Sequence, residues 1–371
     1  MSAEELAALT LSDVKKSETT TKDTEGRPST EDDNTEERNP TRTLASYLKT
    51  NSPELQELGR LRKKGWRSPE ADEFFRKQRE HADKSSIKDE QYFYGMMKRN
   101  GTQLHKETSA FYIPFASGRD PRILDMCMAP GAFLDTALKF NPYATAVACS
   151  LPADQGGHPI LMPETPRAEI HLVDITMLAA DMGITTVPTD HPEANKFLPR
   201  TLPNERVFDL VICDGQVLRT HELAEYRTKG EPRRLSASQL AIGLERLRPG
   251  GTIILLLHQV EAWRSALVIY TFSKFAKIML FKPPVAHAKR SSFYLVAKNV
   301  QSESPEALAA VERWKEVWKA ETFPDAERSV EVNDPWTAEE IIEDFGPELL
   351  KLGAPIWTIQ ANALASASFM K

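Results

Sequence analysis

The sequence predicts an α/β fold, a mainly parallel sheet with helices on both faces. From Arg122 to about Val300, short apolar runs alternate with segments of helical spacing, as in consecutive strand-helix units. Three predicted strands end in an aspartate: Asp125, Asp174 and Asp214. Parallel strands share one carboxyl edge, and ligands bind outside that edge where the strand order reverses. We therefore expect these acids to lie near one binding site, although each could also be an ordinary turn or cap residue.

The individual elements follow from the apolar runs and the residues between them. Predicted strands cover residues 123–125, 144–149, a segment ending at 174, 208–213, 252–257, 276–281 and 293–297. Predicted helices run from the first turn to about residue 140, over 236–247 and over 263–275. Residues 248–251, Arg-Pro-Gly-Gly, predict a helix stop and a turn.

A turn of small residues follows the first predicted strand and leads into the first helix of the sheet. Small residues let a ligand approach the backbone, and the free N–H groups of a helix start can hold a carboxylate or phosphate. An ordinary strand-to-helix loop is the alternative. The candidate cofactor-binding residues here are Asp125, Cys127, Ala129, Pro130, Gly131, Ala132 and Phe133.

Composition narrows the class of protein. The 371 residues suffice for about two domains, and a net charge of −6 does not indicate a nucleic-acid binder as a whole. The longest aliphatic run, residues 253–257, is too short for a membrane span, and no secretory signal is recognisable. Cys127, Cys149 and Cys213 have no paired spacing, which argues against disulfides and a zinc site. We expect an intracellular protein of the cytoplasm or nucleus, with no metal site and no membrane association.

Residues 1–43 form an acidic segment without aromatic side chains. It contains 11 acidic and 6 basic residues, an excess of 5 acids. Such a segment buries too little apolar surface to offset the entropy of ordering it. We expect a disordered tail, with a short helix near residues 6–11.

Residues 44–115 show helical spacing and a basic excess. From Arg60 to Lys106 there are 13 basic and 7 acidic residues, a surplus of 6. The aromatic residues among them are Trp66, Phe74, Phe75, Tyr92, Phe93 and Tyr94. Basic and aromatic residues together can bind RNA through phosphates and stacked bases. The alternative is a helical face with solvated charges and aromatic rings that pack inward.

Residues 301–371 predict a helical extension after a sheet domain that spans residues 116–300. Ser304-Pro305 is a helix start, and Thr337 with Glu340 has the spacing of a capping box. Trp314 and Trp318 recur at helical spacing. We expect this extension to pack on the core, with partner binding by the two tryptophans as the alternative.

Taken together, four stretches resemble the FtsJ-like 2′-O-ribose methyltransferases over about residues 90–300. They are LDMCMAPGAF at 124–133, Asp174, FDLVICDG at 208–215 and RPGGT at 248–252. The resemblance implies a Rossmann-like methyltransferase fold, S-adenosylmethionine as cofactor and RNA as partner; protein partners stay unknown. It also implies that residues 127–133 hold the methionine part, Asp174 the adenine, and that Asp214 lies beside the transferred methyl group.

The departures from the family pattern concern binding and catalysis. The acid that usually holds the cofactor ribose is replaced by Ser150, and the usual second glycine of the turn is Ala132. The resemblance further implies a Lys-Asp-Lys-Glu tetrad, of which only Asp214 is clear. Leu256 stands at the second lysine and Ser292 at the glutamate. The first lysine is Lys98 or Lys106.

His258 is a candidate substitute for the missing lysine. It lies two residues after Leu256, hence on the same face of the strand, and an imidazole can titrate near neutral pH. Lys289 or Arg290 would then stabilise negative charge. A structural role for His258 is the alternative.

These residues support three hypotheses. The first is an S-adenosylmethionine-dependent methyltransferase that acts on RNA ribose, with Asp214, His258 and Lys98 as candidate catalytic residues. The second is a weak or inactive relative that binds cofactor or RNA as an interaction module. The third is a methyltransferase with another acceptor, such as a small molecule or protein.

Overall fold

The structure is a computed structural model that describes residues 39–83, 86–114, 119–323 and 332–370. One sheet forms its centre. Its strands are β1 (Arg122–Asp125), β2 (Thr145–Ser150), β3 (Ala168–Leu172), β4 (Phe208–Cys213), β5 (Leu247–His258), β6 (Lys277–Phe281) and β7 (Ser292–Val300).

The seven strands lie in the order β3-β2-β1-β4-β5-β7-β6. β1 pairs in parallel with β2 and β4, β2 with β3, and β4 with β5, whereas β7 is antiparallel to both of its neighbours. The chain moves outward from β1 to β3 and then returns to place β4 beside β1. The strand order therefore reverses between β1 and β4, which is where such sheets bind ligands.

Helices cover both faces of the sheet, so the predicted fold class is confirmed. They are α1 (Pro40–Asn51), α2 (Pro53–Trp66), α3 (Pro69–Asp83), α4 (Ile87–Thr108), α5 (Ala132–Phe140), α6 (Glu231–Arg246), α7 (Trp263–Ser273), α8 (Pro305–Thr322) and α9 (Ala338–Ala365). Successive strand residues point to opposite faces. Ile123 packs with α4 and α5, while its neighbour Leu124 packs in the core that contains α1, α2 and α6 to α9.

The turn predicted at residues 248–251 lies inside β5. Leu247 already pairs with Phe208, and the regular pairing resumes at Thr252 with Leu210. The four residues between them bulge out of the ladder, and Gly250 has a left-handed φ of 83°. A glycine adopts this conformation without a steric cost, so the strand continues through the bulge.

The two terminal extensions pack on the sheet domain where they are described. α1 begins at Pro40, a few residues before the expected start at 44, because Asn39 caps it. The expected helix at residues 6–11 lies outside the described residues. Both predicted caps of the last two helices are present. Trp318 is fully buried and donates its Nε1–H to the Thr176 carbonyl at 3.0 Å, so it packs inward. In the described parts of the chain, no helix is long and apolar enough to cross a membrane.

Candidate active site

A cavity of about 590 Å³ opens at the carboxyl ends of the central strands, at the reversal point. Most of the predicted cofactor-binding residues line it: Cys127, Ala129, Pro130, Ala132, Phe133, Ser150, Asp174 and Asp214. Asp125 and Gly131 do not line it and lie next to residues that do. The carboxyl edge of the sheet thus brings the three aspartates to one region, as expected.

The turn after β1 is tightly packed at Gly131. This residue has a φ of 96°, and a Cβ built there would lie 2.6 Å from the Cβ of Met162. Gly131 caps α5 without a side-chain hydrogen bond to the first turn of the helix. The first N–H groups of α5 therefore have no side-chain cap, and Ala132 at the helix start lines the cavity. This arrangement favours an anionic group at that position.

Asp125 and Asp214 form a pair of neighbouring carboxyl groups at the reversal point. Asp125 is 1% exposed and accepts the backbone N–H of Cys127 at 3.3 Å. Burial and the nearby Asp214 charge raise the pKa of Asp125. Burial also raises the pKa of Asp214 to about 7. A carboxyl group with this pKa exchanges its proton near neutral pH, so Asp214 can act as a base or an acid.

The three cysteines are unpaired thiols close to this pair. Burial raises the pKa of all three, that of Cys149 to about 12. They are protonated at neutral pH, which excludes them as thiolate nucleophiles.

Gln239 on α6 forms two hydrogen bonds with the backbone of Gly215, the residue that follows Asp214. Its Oε1 accepts the backbone N–H of Gly215 at 2.9 Å, and its Nε2 donates to the Gly215 carbonyl at 3.2 Å. A Cβ on Gly215 would lie 2.3 Å from the Cys127 sulfur. Sequence analysis missed Gln239, a buried polar residue of this helix.

Asp174 belongs to a buried cluster of charges. It accepts hydrogen bonds from the N–H and hydroxyl of Thr176 at 2.9 and 2.8 Å and from Arg227 at 2.6 Å. Arg227 also bonds both oxygens of Glu231. The Arg227 charge contributes to lowering the pKa of Asp174 against the effect of burial. Asp174, His221 and Glu231 have the spacing of metal ligands, but here the guanidinium supplies the positive charge.

The other side of the cavity carries the two positions to which the resemblance assigns the second lysine and the glutamate of the tetrad. Leu256 on β5 and Ser292 on β7 both line the cavity. β7 pairs with β5 so that Tyr294 lies opposite Leu256. His287, Arg290 and Tyr294 complete this wall. We call it the acceptor half and the wall from β1 to β3 the cofactor half.

His258 does not line the cavity. Its Nε2 lies 2.9 Å from Nε2 of Gln216, whose side chain does line it, and its Nδ1 lies 3.4 Å from the Ser291 hydroxyl. Burial and two nearby cations, Arg290 and Lys282, lower the pKa of His258 to about 4. A base of this strength is neutral at pH 7 and weakly driven to take a proton.

Lys98 is also outside the cavity, and so is Lys106. Lys98 forms an ion pair of 2.6 Å with Asp135, which also accepts the Tyr94 hydroxyl at 2.6 Å. The residues of α4 that do line the cavity are Glu90, Phe93 and Met97. The structure therefore brings neither candidate for the first lysine together with Asp214.

Lys282 is a functional candidate that sequence analysis missed. It is the only lysine in the described part of the chain that is buried, with 2% of its surface exposed. Its ammonium donates to the carbonyls of His287, Arg290 and Ser292 at 3.2, 2.5 and 2.8 Å. Burial lowers its pKa to about 7, assisted by nearby arginines. Lys282 thus ties the connection between β6 and β7 to the start of β7.

The basic and aromatic N-terminal region forms a second cavity of about 480 Å³ with α9 and Lys289. Phe74 and Phe75 pack with Phe369 at centroid distances of 5.0 and 5.3 Å, which supports inward packing for these two rings. Trp66, Arg62 and Arg76 also line this cavity. Lys289 belongs to the same loop as His287 and Arg290, so the two cavities flank one segment.

Comparisons with known proteins agree with this architecture. The sequence profile described as FtsJ-like methyltransferase matches residues 98–300, more than half of the chain. No curated protein sequence matches the chain.

Two solved structures illustrate how remote the structural similarities are. An rRNA methylase from Streptococcus thermophilus is 12% identical with a TM-score of 0.30, and the match covers 53% of this chain and 96% of the methylase. An O-methyltransferase family protein from Burkholderia thailandensis is 12% identical with a TM-score of 0.32, and the match covers 71% of this chain and 73% of that protein. Family membership rests on the sequence profile: the chain belongs to the FtsJ-like methyltransferase family.

Proposed function

We propose that the protein transfers a methyl group from S-adenosylmethionine to a ribose 2′-hydroxyl of RNA. The observation that carries this proposal is the position of Asp214. It lies at the reversal point between a cofactor half and an acceptor half of one cavity, with a pKa of about 7. A methyltransferase needs the donor and acceptor to meet at one such point.

The residues of the cofactor half fit S-adenosylmethionine. The cavity has the volume of a small-molecule site. The start of α5 suits the carboxylate of the cofactor, and Asp214 suits its positive charges. Ser150 offers a hydroxyl for the ribose. A carboxylate has about four acceptor positions, and Asp174 uses three, which leaves one for the adenine amino group.

The chemistry requires an acceptor oxygen, an activated methyl group and a base. When bound, S-adenosylmethionine would supply a methyl group on a sulfonium. The acceptor oxygen would form a bond to the methyl carbon while the carbon–sulfur bond breaks and S-adenosylhomocysteine leaves. We assign the base to Asp214, whose carboxylate takes the hydroxyl proton. Among the described residues no lysine lines the cavity, whereas Arg290 does and offers positive charge at the acceptor half. This assignment replaces His258 and Lys98 as the first choice.

The RNA acceptor is supported by the surface beside the acceptor half. The second cavity is lined by Trp66 together with Lys289 and Arg76, residue types that hold bases and phosphates. A location in the cytoplasm or nucleus is part of the same proposal, since RNA and free thiols are found there.

A second candidate function is favoured by Leu256 and Ser292. Both line the acceptor half where the family places a lysine and a glutamate, so the protein would be a weak or inactive enzyme that binds cofactor or RNA. An acceptor other than RNA is the third candidate.

One assay separates these candidates. Radioactive S-adenosylmethionine is incubated with unmodified RNA transcripts, and cofactor binding is measured separately with S-adenosylhomocysteine. We expect label in the RNA, its loss in Asp214→Ala and no loss in Asp154→Asn, an exposed control that does not line the cavity. Cofactor binding without label in any RNA contradicts the enzyme. Label gained only in Leu256→Lys with Ser292→Glu supports the decayed site.

A further inference from the structure

Two buried polar atoms of the acceptor half have no hydrogen-bond partner among the described residues. They are Nε2 of His287, which is 6% exposed, and the hydroxyl of Tyr294, which is 1% exposed. Both residues line the cavity. An unpaired polar group of this kind is costly, so it needs an explanation such as a ligand that supplies the missing partner.

The backbone of His287 is also unusual. Its φ is 64°, in the left-handed region that is uncommon for residues other than glycine, with asparagine, aspartate and histidine the most frequent exceptions. This conformation costs free energy, and such residues concentrate at functional sites. The conformation and the unpaired nitrogen are independent observations on one residue.

The loop of His287 is held in place from two sides. Lys282 donates to the carbonyl of His287 itself and to those of Arg290 and Ser292. On the outer side, Gln360 of α9 donates to the Lys289 carbonyl at 3.2 Å. The left-handed turn is therefore fixed before any ligand binds, which lowers the entropic cost of binding.

The surroundings of His287 indicate the kind of ligand. The Phe93 ring of α4 lies 6.5 Å from the imidazole, with an angle of 30° between the rings. Arg290 and Lys282 are the charged groups that act on His287, and with burial they keep its pKa well below the usual value. A neutral imidazole beside an aromatic ring and a cation suits a planar base on a phosphate backbone.

We propose that His287 contacts the acceptor nucleotide in the acceptor half, with Lys282 as the positioning residue of its loop. This inference rests on the proposed function and adds the residue that recognises the acceptor. His287 supplies a hydrogen bond through Nε2, and the proton of the acceptor hydroxyl still goes to Asp214. The nucleotide lies beside Phe93, between the second cavity and Asp214.

The main test is the variant His287→Asn, which keeps a polar side chain and tolerates the left-handed backbone. The matched control is Val285→Ala, in the same loop with a side chain 70% exposed. In the full chain, the kcat and KM of label transfer into an unmodified transcript are measured, together with binding of S-adenosylhomocysteine. We expect kcat/KM to fall by about tenfold or more only in His287→Asn, with cofactor affinity unchanged within about twofold.

Lys282→Met tests the positioning role. We expect the same loss of kcat/KM as in His287→Asn, and little further loss in the double variant, because both act through one contact. Additive losses would overturn the positioning role of Lys282. Unchanged transfer in His287→Asn would overturn the contact while the proposed function stands.

A cross-linking experiment separates failure of this inference from failure of the enzyme. The unchanged protein is irradiated with a random RNA pool that contains 4-thiouridine, in the presence of S-adenosylhomocysteine, and the cross-linked peptides are identified. We expect adducts at Phe93 or in residues 282–294. Such adducts without methyl transfer would support the acceptor site and contradict catalysis. Adducts only elsewhere in the chain would overturn the acceptor site.

Discussion

The cofactor half and the acceptor half of the cavity differ in how their polar groups are satisfied. In the cofactor half, Asp174 accepts hydrogen bonds from Thr176 and Arg227. Beside it, after β4, Gln239 forms hydrogen bonds with both the N–H and the carbonyl of Gly215. In the acceptor half, His287 and Tyr294 each leave a buried polar atom without a partner among the described residues.

This difference indicates which half depends on its ligand. The side chains of the cofactor half that the structure describes are held by other protein groups, so these side chains keep their positions without a ligand. The acceptor half keeps unpaired atoms at a cost in stability, which suits a site that recognises a polar partner. Leu256 and Ser292, the two departures expected from the resemblance, also lie in the acceptor half. Under the proposed function, the acceptor and the rate of transfer could therefore change without loss of the cofactor half.

Among the tests of the difference between the two halves, we expect the largest effect on removal of the Arg227 guanidinium. Arg227→Met leaves Asp174, Glu231 and Glu193 as buried acids without their shared cation. We expect a loss of about 3–5 kcal/mol in the free energy of unfolding, measured with urea. Lys196→Met is the control, since Lys196 is 63% exposed and Glu193 keeps Arg227 and the Tyr226 hydroxyl as partners, so we expect a loss of about 1 kcal/mol or less. Equal losses in the two variants would contradict a network that fixes the cofactor half.

The next effect concerns the tight turn of the cofactor half. Gly131→Ala adds a Cβ that meets Met162 and also forces alanine into a left-handed φ. Gly183→Ala has the same type of φ, 86°, but no atom lies within 4 Å of its Cβ. We expect about 1–2 kcal/mol of destabilisation in Gly183→Ala and about 1–3 kcal/mol more in Gly131→Ala. Only Gly131→Ala should lose affinity for S-adenosylhomocysteine; unchanged affinity would argue against the turn as cofactor site.

A pH-dependent effect tests the junction of the two halves. The pKa of Asp214 is raised to about 7, so the folded protein holds a proton that the unfolded chain has lost above about pH 4. This contribution to stability is present below pH 4 and is lost as the pH rises through 7. Asp214→Asn removes the titration. We expect it to unfold like the unchanged protein near pH 4 and to be more stable by up to about 4 kcal/mol at pH 8.

The same titration predicts the activity profile. Transfer should need the Asp214 carboxylate and rise with pH toward a plateau, with a midpoint at or below about 7 because the cationic cofactor favours the charged form. Unfolding curves and rates at a series of pH values measure both effects. The exposed control Asp154→Asn should follow the unchanged protein in each series. An activity that rises as the pH falls would contradict Asp214 as the base.

The smallest effect is expected at the hydroxyl of Tyr294. Tyr294→Phe removes a buried hydroxyl that has no hydrogen-bond partner among the described residues. We therefore expect the free energy of unfolding, measured by thermal denaturation, to stay the same or to rise by up to about 1 kcal/mol. Tyr94→Phe is the matched control. It removes a hydroxyl that donates to Asp135 at 2.6 Å, so we expect the free energy of unfolding to fall by about 1 kcal/mol. A larger loss in Tyr294→Phe than in Tyr94→Phe would mean that the acceptor half is already satisfied.

Much of the fold and part of the site could be predicted from sequence because they depend on local patterns. The strands, the aspartates at their carboxyl ends and the cavity positions of Leu256 and Ser292 follow from apolar runs and motif spacing. Arg227 and Gln239 could not be found this way. Their partners lie 53 and 24 residues away, and only the folded chain brings them together.

The sequence pattern also could not predict which side chains of α4 face the cavity. Helical spacing indicated a helix but not which of its faces meets the cavity. Phe93 faces it, whereas Lys98 turns to Asp135. Lys282 was overlooked because its partners are backbone carbonyls, which leave no mark in the sequence.

The reversed direction of β7 has a consequence for how relatives of this chain can diverge. Because β7 runs opposite to β5, its first residues, not its last, stand beside the carboxyl end of β5. The segment that enters β7 is then a connection between adjacent antiparallel strands, outside the strand-helix-strand crossovers that build the rest of the sheet. Its sequence can change as a module provided that the carbonyls bound by Lys282 keep their positions. Under the proposed function, exchanging residues 283–291 at equal length between relatives should transfer substrate preference while the remainder of the protein continues to fold.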